Sequence, residues 1–533
     1  EEENYTIVLE GRADGIFESQ TDGITYMTID EIKGVFLDVS ALSEPITVHL
    51  AQAKCYAFMY ALQNHLEEIS VRMTYINLDT EQVRHFTQRY DFACLEEWFQ
   101  ALMQSYKKWA QFLYDWRLTR QASIKGLEFP FPYRKGQKEL ASGVYRTILR
   151  KKNLFIQAPT GTGKTVTTLF PAVKAVGEEL GDKIFYLTAK TITAAVAKET
   201  LELFYKNGYR AKTVQITAKE KLCIMEETLC NPVDCPYAKG HFDRVNDAVY
   251  ELLHQMDVYT REEMIEHAKK HMVCPFELCL DTASWADNII CDYNYVFDPN
   301  VYLKRFFAEG VRGDYLFLVD EAHNLVERGR EMYSAELYKE DFLIVKKLVS
   351  VRSPKLVKEL KKCNQILLGY KRECEQFQYH ENISEFVFAL MRLAGEYEVF
   401  LQKNRQFENR DIVLDLYFQI RSFIETSEGL DENYVIYSEQ EGERFKIRLY
   451  CVDPSGNLQK RLDKGRSTIF FSATLLPIQY YKSLLSTKED NYAVYAQTIF
   501  KQSQQFLAIG KEVSSKYSRR TEKKKKKIAD YIY

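Results

Sequence analysis

The chain has 533 residues, 46% of them apolar and 28% charged, which is enough for about three or four domains with cores of their own. A formal net charge of −3 excludes a uniformly basic protein, so any surface that binds nucleic acid must be local. No apolar run approaches the roughly 18–20 residues that cross a bilayer, and no secretory signal is visible, so we expect a cytoplasmic protein with no membrane partner. In that compartment the eleven cysteines are expected to be free thiols or metal ligands.

Both ends of the sequence have the character of interior segments. The chain begins without Met, and residues 5–9 are predicted to form a strand. It ends inside a predicted helix that the run Lys523–Lys527 opens, preceded by Arg519 and Arg520. Such a basic cluster can contact phosphates but is more typical of a solvated linker. We expect the chain to be a fragment truncated at both ends.

A candidate metal site occupies the first forty residues. Asp14 lies at a turn, and residues 25–33 are predicted to form a strand with Glu31 and Lys33 on one face, because side chains alternate along a strand. An antiparallel hairpin would bring Asp14 beside Glu31, and this carboxylate pair suits Mg²⁺ or Mn²⁺. Lys33 would then orient a water or stabilise a developing phosphorane charge. Asp30 is a rival to Glu31, but it points to the opposite face.

Gln52 and Tyr56 are four residues apart and therefore lie on one side of a helix. In order and spacing, Asp14, Glu31-x-Lys33 and Gln52-x-x-x-Tyr56 resemble the RecB-like branch of the PD-(D/E)XK nucleases. The resemblance implies a nuclease-like α/β domain with catalytic Asp14, Glu31 and Lys33. A degenerate nuclease domain that only clamps DNA is the competing interpretation.

A phosphate-binding loop and a metal-binding acidic pair lie in the middle of the chain. The first is Ala158-Pro-Thr-Gly161-Thr162-Gly163-Lys164-Thr165, and the second is Asp320-Glu321-Ala-His323; each follows an apolar, strand-like run. Glycines let backbone N–H groups approach phosphate oxygens at the start of a helix. Lys164 would reach the β- and γ-phosphates, Thr165 and Asp320 would hold Mg²⁺, and Glu321 would polarise the attacking water. The chain is predicted to bind and hydrolyse ATP.

Six of the eleven cysteines lie within 69 residues between these two motifs. Four of them form the pattern C-x6-C-x4-C-x38-C, namely Cys223, Cys230, Cys235 and Cys274. Four thiolates suit either zinc or an iron–sulfur cluster, and the absence of C-x2-C pairs favours the cluster. Cys279 and Cys291 are predicted to be buried structural cysteines, with Cys279 as a possible substitute ligand.

The order of phosphate loop, cysteine insert, Asp-Glu-Ala-His box and Phe471-Ser472-Ala-Thr474-Leu475 resembles the XPD/DinG family of superfamily 2 iron–sulfur helicases. Lys221-Leu-Cys223, Cys235-Pro-Tyr and Cys274-Pro-Phe are similar to its cluster segments, and Asp292-Tyr-Asn-Tyr resembles the segment that returns to the motor. The resemblance implies a 4Fe–4S cluster, a path for single-stranded or forked DNA, and 5′ to 3′ polarity. DNA rather than RNA rests on the resemblance alone.

The resemblance also implies roles for other positions. Gln137 and the preceding residues 131–134 would read the adenine, although an exposed turn is the alternative. Ser472 and Thr474 would couple hydrolysis to DNA binding. Residues 186–191, which include Lys190, would hold DNA phosphates. Residues 326–450 would correspond to the arch domain, for which the sequence itself predicts only amphipathic helices.

The predicted fold class is α/β, with a P-loop RecA-like motor lobe that carries iron–sulfur and arch insertions after a PD-(D/E)XK nuclease-like domain. The predicted boundaries, in chain order, are 1–118 nuclease-like, 119–220 motor lobe, 221–292 cluster insert, 293–325 motor lobe, 326–450 helical arch, 451–480 motor lobe and 481–533 the start of an incomplete second lobe.

Three functions are consistent with these motifs. The first is an ATP-dependent DNA helicase with a nuclease domain that acts in DNA repair or processing. The second is an ATP-regulated nuclease in which cleavage is the main output. The third is a translocase that clears DNA and carries an inactive nuclease fold. The first is favoured because the motor motifs are more complete than the nuclease motifs.

Overall fold

The computed structural model describes residues 4–21, 24–189, 191–404, 407–497, 513, 514, 516 and 521–532. Two compact units divide the chain, residues 1–119 and residues 120–533. Lys190, Arg519 and Arg520, which the sequence singled out, lie outside the described residues. In the described ranges no helix combines the length and the apolar character that a bilayer span requires.

The first unit is a four-stranded sheet covered by a helix. Its elements are β1 (Gly15–Thr21), β2 (Ile24–Val35), α1 (Thr47–Asn64), β3 (Glu68–Asn77), β4 (Val83–Asp91) and the start of α2 (Phe92–Lys125). The strands lie in the order β1-β2-β3-β4, and only the pair β2–β3 is parallel. Helix α1 places Ala53, Ala57 and Ala61 at four-residue intervals in the core, where small side chains allow close approach to the sheet.

The strand predicted over residues 5–9 does not form. This segment has no strand partner, and the first strand begins only after Asp14. Tyr5 instead stacks near Tyr114, with ring centroids 5.4 Å apart, and its hydroxyl donates to Gln111. The segment therefore contacts helix α2 through Tyr5 and does not pair with a strand of the sheet.

The second unit is built on an eight-stranded sheet in which every pairing is parallel. Its strands are β5 (Asn153–Gln157), β6 (Lys183–Leu187), β7 (Thr213–Gln215), β8 (Val258–Tyr259), β9 (Asn288–Cys291), β10 (Tyr315–Asp320), β15 (Ser467–Ser472) and β16 (Tyr492–Tyr495). Their order is β16-β5-β15-β10-β6-β9-β7-β8. The central strands β15 and β10 are buried along their whole length, as expected of a parallel sheet covered on both faces.

Helices surround this sheet and connect its strands. Those that lie outside the insertions are α3 (Gln137–Leu149), α4 (Lys164–Gly177), α5 (Thr191–Lys206), α10 (Asn294–Phe297), α11 (Lys304–Phe307), α12 (His323–Met332), α17 (Ser455–Leu462) and α18 (Ile478–Leu485). Helix α4 buries nine residues, among them Leu169, Ala172 and Val173, which form part of the hydrophobic core around the eight-stranded sheet.

The cysteine-rich insertion leaves the sheet after β7 and returns at β9. It contains α6 (Lys219–Leu222), α7 (His241–Gln255), α8 (Arg261–His271) and α9 (Pro275–Trp285), and it contributes β8 to the sheet edge. Helix α8 begins with a capping box in which Thr260 and Glu263 satisfy each other's backbone N–H groups. Helices α7, α8 and α9 pack against one another.

The segment predicted as a helical arch also contains a sheet, which corrects the sequence interpretation. Its elements are β11 (Ala335–Tyr338), α13 (Lys339–Val349), α14 (Pro354–Glu373), β12 (Phe377–Tyr379), α15 (Ser384–Lys403), α16 (Arg410–Glu428), β13 (Tyr434–Glu441) and β14 (Arg444–Cys451). The four strands are antiparallel in the order β11-β14-β13-β12. Phe445, Ile447 and Leu449 lie on one face of β14 and are buried, and the last two belong to the core of this insertion, a pattern that the surrounding amphipathic helices obscured.

The last described strand also changes a predicted boundary. β16 pairs in parallel with β5, from Tyr492↔Leu154 to Tyr495↔Gln157. Residues up to 495 therefore complete the eight-stranded sheet of the second unit. They do not begin a separate lobe at residue 481, as the sequence had predicted. The final helix, α19 (Glu522–Ile532), contains the lysine run, as expected.

Candidate functional site

The phosphate-binding loop connects β5 to α4 and depends on two glycines. Gly161 and Gly163 have φ angles of 84° and 73°, in the left-handed region that side chains with a Cβ rarely adopt. Gln137 is buried beneath the loop, and its amide donates to the carbonyl of Thr162 at 2.7 Å. A Cβ on Gly163 would lie 2.8 Å from that amide nitrogen. The predicted adenine-reading residue Gln137 is thus also part of the support of the loop.

Lys164 and Thr165 are the first two residues of α4. The free N–H groups at this helix end and the axial dipole favour an anion next to them. The guanidinium of Arg134 donates to the carbonyl of Gly161 at 2.7 Å, and this contact links the segment before α3 to the loop. Lys164, Thr165 and the two glycines therefore form a site that suits the phosphates of a nucleotide.

Asp320 ends β10 in a nearly water-free position. Its side-chain oxygens accept from the Tyr186 hydroxyl at 2.6 Å and from the backbone N–H of Glu321 at 2.8 Å. Burial raises the pKa of Asp320, and the hydrogen bond from Tyr186 and the positive charge of Lys164 partly oppose that rise. A cation at this carboxylate would stabilise the charged form further, so the arrangement fits a magnesium site shared with the Thr165 hydroxyl.

Glu321 lies beside Asp320 with a φ of 48°, a conformation that costs a non-glycine residue about 1–2 kcal/mol. The Ser472 hydroxyl donates to its carboxylate at 3.1 Å. His323 Nδ1 lies 2.7 Å from the Ser472 oxygen and 3.3 Å from Glu321 Oε2. The backbone N–H of Thr474 donates to the same Ser472 oxygen at 3.2 Å. The acidic box and the Ser-Ala-Thr segment are therefore in direct contact.

The contacts of three residues at this site were not predicted from the sequence. His323 contacts Ser472, and the hydroxyls of Tyr186 and Tyr293 donate to the side chain and to the backbone carbonyl of Asp320, respectively. No local signal in the sequence points to these contacts, because each one joins residues brought together only by the order of the strands.

Beside the nucleotide site, at the carboxyl ends of β6, β9 and β7, lies a cavity of about 1160 Å³. Its lining holds seven basic side chains, among them Lys198, Lys219 and Arg261, and three acidic ones, Glu220, Glu262 and Asp292. The predicted phosphate contact Thr188 reaches this lining but is only 4% exposed, and its hydroxyl lies against that of Thr193. The basic rim of this cavity suits a polyanion.

The four candidate cysteine ligands lie on loops and helix ends of one insertion. Cys223 ends α6, Cys274 immediately precedes α9, and these two helices pack together. Cys230 and Cys274 are close enough to interact electrostatically, and Lys219 hydrogen-bonds the Cys230 sulfur. The Cys274 sulfur accepts from the backbone N–H groups of residues 276 and 277.

Further hydrogen bonds tie the loop that carries Cys235 to the segment before Cys274. Arg244 donates to the carbonyls of Lys239 and Met272 at 2.7 and 2.6 Å, and the Cys274 N–H donates to His241 Nδ1 at 3.2 Å. These hydrogen bonds hold the loop of Cys235 and the segment of Cys274 in one local structure.

The two remaining cysteines of the insertion have a different environment. Cys279 and Cys291 are buried, and burial raises the pKa of the Cys279 thiol to about 12. The Cys279 sulfur contacts the carbonyl of Gln215 at 3.8 Å. Both are therefore core residues in this structure.

A separate carboxylate site occupies the first unit. The register Gly15↔Asp30 puts Asp14 next to Glu31 across the hairpin, and the Asp14 carboxylate accepts from the backbone N–H of Ile32 at 2.8 Å. Glu31 is 2% exposed, and one of its oxygens accepts from Lys33 at 2.6 Å. Its other oxygen, Oε2, is buried and has no hydrogen-bond partner among the described residues. A buried carboxylate oxygen without a donor fits a cation ligand.

The remaining predicted residues of the first unit, Gln52 and Tyr56, are connected to Lys33 by consecutive hydrogen bonds. Lys33 Nζ donates to Gln52 Oε1 at 3.0 Å, and Gln52 Nε2 donates to the Tyr56 hydroxyl at 3.0 Å. Asp30 points away and binds Arg72 and Thr74, as its position in the alternation predicts.

His49 also lies near this group and was not selected from the sequence. Burial and the charge of Lys33 lower the pKa of His49, while Glu31 opposes that shift.

Comparison with known proteins gives matches on the second unit. Residues 188–342 match the DEAD_2 family model. Regulator of telomere elongation helicase 1 of Homo sapiens is 24% identical over 267 residues, which cover 40% of this chain and 21% of that protein. The Caenorhabditis elegans homolog is 23% identical over 253 residues, which cover 40% of this chain and 25% of that protein. Both relatives are helicases by name, and the chain is similar to each over part of its length.

The matched segment spans only about a fifth to a quarter of the length of these curated relatives. Among solved structures, an XPD helicase is 19% identical with a TM-score of 0.47, covering 75% of this chain and 70% of that chain. A truncated XPD is also 19% identical with a TM-score of 0.46, covering 68% of this chain and all of that chain.

The geometry of the phosphate loop leads to a first prediction. Gly163→Ala introduces a Cβ at φ 73° against Gln137, which costs about 1–2 kcal/mol in backbone strain alone. We expect nucleotide affinity, measured with a fluorescent ATP analogue, to fall roughly tenfold or more. Gly143→Ala on the neighbouring helix α3 is the matched control, since a Cβ there meets nothing within 4 Å. Equal affinity in both variants would contradict the proposed role of the loop.

Proposed function

We propose that the second unit is the motor lobe of an ATP-dependent DNA helicase or translocase of the XPD/DinG type. The observation that carries this proposal is the meeting of three motifs on adjacent strands. The phosphate loop follows β5, the Ser-Ala-Thr segment follows β15, and Asp320 ends β10, with β15 between the other two. ATP and magnesium are the ligands that this arrangement fits best.

Each motor residue has a distinct part in the proposed reaction. Lys164 would bind the terminal phosphates, and Thr165 and Asp320 would hold magnesium, which supplies charge neutralisation at the phosphates. Glu321 would polarise the attacking water. The Ser472 hydroxyl on the Glu321 carboxylate makes the orientation of this base depend on the segment 472–474.

DNA is the proposed polyanion for the basic cavity beside the ATP site. Backbone contacts from Lys198, Lys219 and Arg261 would position a single strand or fork without reading its sequence. The polarity that the family resemblance implies is 5′ to 3′, and the proposed biological setting is DNA repair or DNA processing.

The proposed ATP hydrolysis is tested with variants of Lys164, which would bind the nucleotide, and of Glu321, which would activate the water. We expect Lys164→Ala to weaken ATP binding, whereas Glu321→Gln retains binding and loses hydrolysis by about 10²-fold or more, because a general base contributes at least that factor. Binding is measured with a fluorescent nucleotide, and phosphate release is measured with and without single-stranded DNA. Glu327→Gln, which changes an exposed carboxylate paired with Arg330, is the control. Undiminished hydrolysis in Glu321→Gln would refute the assignment.

We also propose that Cys223, Cys230, Cys235 and Cys274 hold a 4Fe–4S cluster. The amide donors at Cys274 and the ammonium of Lys219 at Cys230 support a negatively charged centre. A cluster would supply a rigid cross-link among the loops of the insertion, which contain little regular structure between α6 and α7.

Metal analysis after anaerobic purification tests the cysteine assignment. We expect a brown protein with about four irons per chain, as a four-thiolate cluster requires. Cys223→Ser and Cys274→Ser should lose the iron, whereas Cys94→Ser, an exposed cysteine of the first unit, should retain it. A colourless protein with zinc bound by these four cysteines would overturn the cluster.

A second candidate function is metal-dependent DNA cleavage by the first unit. The buried Glu31 oxygen without a donor and the chain of contacts from Lys33 to Gln52 and Tyr56 favour it. Asp14 and Glu31 would hold Mg²⁺ or Mn²⁺, which activates water for attack on a phosphodiester. Lys33 would stabilise the negative charge that develops on the phosphate.

Cleavage of single-stranded and forked DNA with Mn²⁺ tests this activity. We expect Asp14→Ala and Lys33→Ala each to lower cleavage by about 10²-fold or more, since each removes a group that acts on the developing charge. Glu18→Gln, on the exposed part of β1, is the control. Cleavage that survives both changes would refute the site.

The products of the parent protein on a forked substrate separate the alternatives. Intact released strands indicate a helicase, fragments indicate an ATP-regulated nuclease, and neither product indicates a clearing translocase with an inactive nuclease fold.

A further inference from the structure

A second cluster of metal-ligating side chains lies in the cysteine-rich insertion, separate from the four cysteines. Glu251 on α7 and His267 and His271 on α8 each offer one ligand atom, and these three atoms lie within 4.8 Å of one another. The two histidines are four residues apart and therefore share one face of α8. Their rings lie 4.5 Å apart between centroids.

His267 is held in an orientation that leaves one nitrogen available. Its Nε2 lies 2.8 Å from the carbonyl oxygen of Ala248, which can only accept, so Nε2 carries the proton and Nδ1 carries the lone pair. A backbone carbonyl on the second ring nitrogen is the usual support of a metal-bound histidine.

His271 and Glu251 complete the set. His271 Nε2 lies 2.9 Å from Glu251 Oε2 but does not meet the geometry of a hydrogen bond, and this buried nitrogen has no hydrogen-bond partner among the described residues. Lys270 and Gln255 both donate to the other oxygen of Glu251, Oε1. They fix the carboxylate while leaving Oε2 directed at the histidines.

We propose that Glu251, His267 and His271 bind one zinc-type divalent metal ion. Two imidazoles and a carboxylate are a common protein donor set for such an ion, with metal–ligand distances of about 2.0–2.2 Å. Ligand atoms around a tetrahedral ion of that size lie about 3.3 Å apart, so the present separations require only small side-chain rotations. Water would occupy the fourth position.

The ion would cross-link α7 and α8, because Glu251 lies on the first helix and both histidines lie on the second. His271 is the last residue of α8, and Arg244 of α7 already donates to the His271 carbonyl at 3.1 Å. Cys274 follows three residues later. This cross-link would therefore hold in place the segment between His271 and Cys274, the last of the four cysteines. The inference does not depend on the proposed motor or nuclease activities.

Zinc content measured on the whole chain tests the proposal. After removal of loosely bound metal, the parent protein is equilibrated with zinc under anaerobic conditions and analysed for metal. We expect one zinc per chain more in the parent than in His271→Ala or Glu251→Ala. His254→Ala, on the exposed end of α7 and outside the cluster, is the matched control and should keep the parent value. Equal zinc in all four proteins would overturn the proposal.

The visible absorption spectrum of bound cobalt is a second measurement, and it distinguishes this site from one made of cysteines. A nitrogen- and oxygen-ligated cobalt ion gives visible bands without thiolate charge-transfer absorption, and we expect this signal in the parent and its loss in His271→Ala. Should His271→Ala lower the melting temperature without metal, Glu251→Gln, which is close in size, replaces it in both measurements. A cobalt signal that survives Glu251→Gln, or that carries thiolate absorption alone, would contradict the site.

Discussion

The motor site depends on the position of one strand, β15, between β5 and β10. The backbone N–H of Ala158 donates to the carbonyl of Ser472 at 3.0 Å, and that of Ala322 donates to the carbonyl of Phe471 at 3.2 Å. These bonds at the end of β15 place the phosphate loop on one side and the acidic box on the other. All six residues of β15 are buried, so a shift of one position would move its side chains to the wrong face. The strand returns only after the long insertion 335–451, and the nucleotide site is therefore complete only when that insertion has folded back.

Burial of carboxylates is the second constraint, and it recurs in both units. Asp320 and Glu31 are 4% and 2% exposed, and each lies next to a lysine, Lys164 or Lys33. A carboxylate in such a position is costly to charge unless a cation or several donors compensate. Asp320 receives two donors, whereas Glu31 Oε2 receives none from the described residues. In both places the remaining capacity is suited to a divalent cation, although Asp320 is the last residue of β10 and Glu31 lies within β2.

Short-range regularities account for what the sequence predicted well. Alternation along β2 was enough to put Glu31 and Lys33 on one face and Asp30 on the other, and helical spacing was enough to pair Gln52 with Tyr56. Contacts across the sheet were not accessible in this way. The contact between His323 and Ser472 joins residues 149 positions apart, and only the strand order makes them neighbours. The sheet in residues 335–451 was missed because its longest strands follow four amphipathic helices whose periodicity dominates the segment.

The same strand order gives the cysteine insertion a direct structural connection to the nucleotide site. Cys274 immediately precedes α9, α9 leads through Ala286 and Asp287 into β9, and β9 ends two residues before Tyr293. The hydroxyl of Tyr293 donates to the backbone carbonyl of Asp320, and β9 pairs with β6, which carries Tyr186 on the Asp320 side chain. A displacement of the Cys274 segment along this path would move both tyrosines that hold Asp320. Since packed strands move as units rather than residue by residue, the position of the Asp320 carboxylate would depend on this path.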